Sequence, residues 1–142
     1  MRKIIVVGGV TALVAGALAL PASASFDHHF TVLEKQVSSE RISRNTFRFK
    51  NRLVDPRNHR NRVGRDRGRC TFAHGKGRCR AKVHLDGEIG GFGDLFVRGD
   101  IGRHDRRLNV VGGTDDFDGV AGKMLLRQRG SRPDKLHFDL VH

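Results

Sequence analysis

The chain has 142 residues and a formal net charge of +12, with Lys+Arg 27 against Asp+Glu 15. That length leaves room for one domain, and a field of that sign attracts polyanions. Among them are anionic envelope polymers, membrane surfaces and nucleic acid. The start of the chain stands apart. Met1-Arg2-Lys3 is basic, Ile4 to Leu20 is apolar and uncharged, and Pro21-Ala22-Ser23-Ala24 carries alanines at the A-x-A positions of a signal peptidase site. Residues 1–24 therefore read as a secretory signal peptide cleaved after Ala24. The apolar run is shorter than the ~20 residues of a spanning helix. Residues 25–142 are expected to form one exported, extracellular domain.

After the cleavage point, Asp27-His28-His29 puts two histidines side by side. Neighbours on a strand point to opposite faces, so the pair does not make a metal site, and no metal or cofactor is expected. Phe30 to Leu33 is the core of a first strand. Phe47 to Leu53 alternates apolar with basic residues, giving one dry face and one wet face. Asp55-Pro56-Arg57-Asn58 is a turn. Arg65, Arg67 and Arg69 then share one strand face by alternation. Together with Arg57, Arg60 and Arg62 they form the densest basic cluster, the candidate polyanion-binding set. A single-strand nucleic-acid groove interleaves aromatics for stacking. The nearby Phe47, Phe49 and Phe72 read as core, so nucleic acid is set aside as a partner.

Cys70 and Cys79 are the chain's two cysteines. Arg69 to Phe72 and Arg78 to Ala81 can pair as hairpin arms, with the cysteines opposite each other and close enough to bridge. An exported chain folds in an oxidising space, so a disulfide is the default. Ala81 to Leu85 alternates again, Asp86-Gly87 is a tight turn, and Glu88 to Val97 is read as a glycine-loaded strand. Leu108 to Val111 and Met124 to Leu126 are two further strands, and Leu136 to Leu140 closes the chain. No amphipathic helix stands out. The spacing is that of about eight strands in a sandwich or barrel.

Between the strands at 108–111 and 124–126 lies NVVGGTDDFDGVAG. It fails as a phosphate loop, because Met124 follows Gly122-Lys123 where Ser or Thr is needed. It fails as an EF-hand, because Thr114 and Leu125 fall at the first and last ligand positions. A turn remains. Gly112, Gly113, Thr114, Gly119 and Gly122 supply turning and room, and Phe117 plugs beneath.

The same stretch resembles the V-x-G-G-T-G-x-F-x-x-A-x-G segment of dirigent proteins and the G-G-S-G-x-F-x-G-V-x-G segment of allene oxide cyclases. Val63 to Gly68, Cys70-Thr71 and the closing Leu136 to Leu140 agree in order with other segments of that superfamily, and the likeness covers Val63 to His142. It is similar to the small secreted bacterial members. The resemblance implies an all-β, eight-stranded antiparallel up-and-down β-barrel, often a homotrimer, around an apolar cavity. It implies binding of a small apolar ligand and steering of its cyclisation or coupling. Asp116 falls where some dirigent proteins carry a functional aspartate, and Glu88 or Asp94 is the candidate for the carboxylate that cyclase chemistry needs. Two departures stand out: Asp115 replaces the third glycine, and the chain has no Tyr and no Trp. The other expectation, from charge alone, is a non-enzymatic basic protein that binds anionic envelope polymers or membrane.

Overall fold

The computed structural model describes residues 27–102 and 106–142. Residues 1–26, which include the expected signal peptide, and Arg103, His104 and Asp105 lie outside the described residues. Eight strands form among those described: β1 (His29–Ser43), β2 (Thr46–Val54), β3 (Arg62–Ala73), β4 (Lys76–Asp86), β5 (Phe92–Ile101), β6 (Arg107–Gly113), β7 (Ala121–Arg129) and β8 (Arg132–Val141). Each pairs antiparallel with the next, and β1 returns to pair with β8 from His29↔Asp139 to Glu34↔Asp134. The result is a closed up-and-down barrel, which leaves no free sheet edge.

Alternation explains the strands. Along β4, Cys79, Val83 and Leu85 face in and are buried, while Arg78 and Arg80 face out. The β3–β4 hairpin turns through His74 and Gly75, both at positive φ (51° and 77°), as a two-residue hairpin turn requires. It sets Cys70 directly opposite Cys79. Their disulfide is formed, with Cα atoms 4.1 Å apart.

The up-and-down order gives the barrel two unlike ends. At one, the β2–β3, β4–β5 and β6–β7 connections close over an aromatic plug. Phe117, on a 3₁₀ turn (Asp115–Phe117), is fully buried. Its ring centroid lies 6.5 Å from that of Phe30, which stacks on Phe138 at 4.7 Å. Gly113 makes the plug possible, since a Cβ there would stand 2.5 Å from Phe117 Cβ. Toward the other end, where β1–β2, β3–β4 and β7–β8 turn, the barrel encloses a cavity.

The segment read as one strand from Glu88 to Val97 breaks in two. Gly87, Gly90 and Gly91 all adopt positive φ, so Glu88 sits on the β4–β5 turn and β5 begins only at Phe92. Glycine spacing marked a turn there rather than curvature within a strand.

Candidate functional site

The cavity has a volume of about 580 Å³, within the range of small-molecule sites. Most of its wall is apolar: Val83, Val97, Leu108, Met124, Leu126 and the Cys70–Cys79 bridge. Phe49 also lines it, lying across Gly68, where a Cβ would stand 2.4 Å from Phe49 Cζ. Glycine at 68 thus lets an aromatic ring form part of the wall.

One side of the wall is polar: β1, β2 and β3 supply its buried part, and Arg132 and Asp134 of β8 also line the cavity. Glu34 continues the inward series of Phe30 and Val32 on β1. Asn51 faces in from β2, and the register places it directly opposite Asp66 of β3. Asp66 is 5% exposed and Asn51 is 8% exposed. Asn51 Nδ2 donates to Glu34 Oε1 at 2.5 Å. No fixed donor reaches Asp66 Oδ1, which is buried.

Two carboxyls in a mostly apolar chamber do not both ionise. Burial, the hydrogen bond to Asp66 and the nearby charges of Asp66 and Asp134 push Glu34 up to about 9. Burial also raises Asp66, but hydrogen bonds from Glu34 and Asn51 oppose that rise. At neutral pH Glu34 therefore holds its proton, and the hydrogen bonds from Glu34 and Asn51 favour the charged form of Asp66. The chamber thus presents an acid, a carboxylate and a neutral amide side by side, against apolar walls. Asp134 stands opposite Glu34 across β1 and β8 and accepts from Arg129 N at 3.3 Å.

The residues singled out in the sequence lie elsewhere. Glu88 is exposed on its turn, with Oε2 accepting from Asn61 Nδ2 at 2.6 Å. Asp94 faces outward, because Leu95 and Val97 take the inward places on β5. Lys82 Nζ lies 2.6 Å from Asp94 Oδ2 and His84 Nδ1 lies 2.8 Å from Asp94 Oδ1. Against the burial that would raise it, hydrogen bonds from Lys82 and His84 hold Asp94 below the usual carboxylate range. Asp116 sits on the 3₁₀ turn at the plugged end, where Oδ2 accepts from Phe92 N at 2.8 Å. None of the three lines the cavity.

In the turn stretch, Gly112, Gly119 and Gly122 take positive φ and Thr114 Oγ1 accepts from Asp94 N at 3.1 Å. Together these contacts make the stretch a clasp between β5 and β6. Asp116→Ala should cost about 1 kcal/mol in urea denaturation through the lost bond to Phe92, and leave binding in the cavity unchanged. A loss of binding would return Asp116 to the site.

Among the described residues, no group of three or more His, Cys, Asp or Glu side chains converges as a metal-binding set. Of the six arginines in the basic cluster, Arg57 and Arg60 stand on the β2–β3 loop, where Arg57 pairs with Asp55 at 3.3 Å. Arg62 begins β3, and Arg65, Arg67 and Arg69 line its outer face.

No protein-family model matches the chain, and no curated protein matches it. Among solved structures, one described as pyocyanin demethylase is similar, with a TM-score of 0.62 and 18% identity, over 80% of this chain and 99% of that one. At that identity the likeness is one of fold.

Proposed function

We propose that this protein is a secreted barrel that binds a small, largely apolar molecule and steers its cyclisation or isomerisation, as an allene oxide cyclase or dirigent protein does. The observation that carries the reading is the chamber itself: about 580 Å³ of mostly apolar wall with a Glu34–Asp66–Asn51 set on one side. Apolar walls supply affinity, and a few placed polar groups supply orientation. Protonated Glu34 gives its proton to one atom of the ligand, and the Asp66 carboxylate takes a proton from another. The ligand is then rearranged with no net gain or loss of atoms, which suits an isomerase. Asp66 also stabilises positive charge that develops during ring closure, while the walls hold the reacting conformer. The matched barrel acts, by its description, on a small molecule, and this supports the ligand class. The segment resemblance to cyclases and dirigent proteins supports the chemistry.

Native mass spectrometry on protein recovered from its own culture supernatant tests this reading. A discrete organic mass retained by the wild type is the expected result. For the purified chain, a neutral apolar naphthylamine dye should brighten on entering the chamber. Val97→Phe, which fills the chamber from β5, should weaken dye binding roughly tenfold or more. A bare protein together with equal dye binding by wild type and V97F would remove the ligand-binding role.

A further inference from the structure

The register of the barrel does something to the basic residues that their order in the chain does not suggest. On the outer face, Arg48 of β2 lies opposite Arg69 of β3, Arg69 opposite Arg80 of β4, and Arg80 opposite Arg98 of β5. Four arginines thus stand in one row across four adjacent strands. A second row, Lys50, Arg67 and Lys82, runs beside it. Directly opposed like charges destabilise a sheet, so such a row is costly to the fold by itself. Among the described residues none of the four guanidinium groups pairs with a carboxylate; Arg78, one pair further along, does so with Asp100 at 3.4 Å. A surface depression collects part of the row with neutral and acidic neighbours: Arg69, Arg80, Arg98, Thr71, Asn109 and Asp100.

We infer that this outer face of β2–β5 is a binding site for a flexible acidic polysaccharide, a role separate from that of the chamber. Three features select that occupant. Four consecutive strands of an eight-stranded closed barrel make up half its wall, so the row is convex. A flat bilayer meets only part of a convex row, whereas a flexible chain wraps it. One exposed aromatic, Phe96, ends the second row beneath Lys82 Nζ, 6.0 Å from its ring centroid; none stands between the four arginines, where a single-stranded nucleic acid would require a series of stacking rings. Finally, Thr71, Asn109 and Asp100 set hydroxyl, amide and carboxylate groups among the arginines. A polymer with both hydroxyls and spaced anions uses all of them, whereas a dense phosphate chain has few hydroxyl donors to offer Asp100 and Asn109. Strands about 4.8 Å apart space the guanidinium groups for successive forked contacts to carboxylates.

The test is titration of the disulfide-bonded protein with a polyuronate of defined length, at low and at physiological salt. Binding that weakens as salt rises is expected. Arg69→Gln and Arg80→Gln should each weaken it about tenfold, while Arg127→Gln on β7, with the same change of charge, should leave it within about twofold. Arg80→Gln should also raise the melting temperature by about 1–4 °C, because it relieves the opposed charges. Val97→Phe should not affect polyuronate binding, which separates this site from the chamber. The inference is overturned if polyuronate does not bind, or if Arg127→Gln weakens binding as much as Arg80→Gln does. It is also overturned if polyphosphate, single-stranded DNA or phosphatidylglycerol vesicles bind more tightly than polyuronate.

Discussion

Glu34→Gln should make the protein more stable at pH 8 and leave it little changed at pH 5. The folded chain holds a proton on Glu34 up to about 9, and the group's ordinary value is 4.5. Between those values unfolding releases that proton, so stability is complete below the lower value and falls as pH rises. One full proton makes the slope about 1.4 kcal/mol per pH unit, and the curve levels above the upper value. Glutamine copies the protonated acid: its amide donates to Asp66 and its oxygen accepts from Asn51, with no proton to lose. The advantage of E34Q over wild type should grow by about 2 kcal/mol between pH 5 and pH 8, less than full linkage because Glu34 is partly exposed. In thermal melts that is about 5–10 °C. Parallel wild-type and E34Q curves across this range would show that Glu34 ionises as an ordinary carboxyl.

Removal of the disulfide should have the largest effect on stability at constant pH. The bridge joins cysteines nine residues apart in sequence, and both side chains are buried in the chamber wall. Replacing both by alanine should cost about 2–4 kcal/mol in urea denaturation. It should also weaken dye binding, because it removes wall surface between β3 and β4. A change below about 0.5 kcal/mol would mean that the hairpin's own pairing already fixes that end of the barrel.

The fold was legible because the strands alternate and the turns carry their own chemistry. Cys70 and Cys79 could be paired from hairpin geometry, and they proved to lie directly opposite each other. The polar side of the chamber was missed although a signal for it was present. Placing Arg65, Arg67 and Arg69 on one face puts Asp66 on the other, with Cys70 and the interior. Two-residue steps from Phe30 through Val32 lead inward to Glu34. Each acid has at least one cationic neighbour, in Arg65-Asp66-Arg67 and Leu33-Glu34-Lys35, which gives it the look of solvated charge. Asp116, beside the glycine-rich turn, instead clasps that turn to β5 through Phe92 N. The arginine row was not legible at all, since Arg48, Arg69, Arg80 and Arg98 meet only through the registers of three strand pairs. Glu88 was misplaced because glycines at 87, 90 and 91 end a strand rather than bend it.

The most direct test of the shared proton in the chamber is carbon-13 NMR of the side-chain carboxyls of Glu34 and Asp66, followed from pH 4 to pH 10. Glu34 should stay protonated through neutrality and titrate near 9, with Asp66 also shifted upward by its burial. Ordinary titration of both groups at acid pH would contradict this account and leave the chamber without its acid.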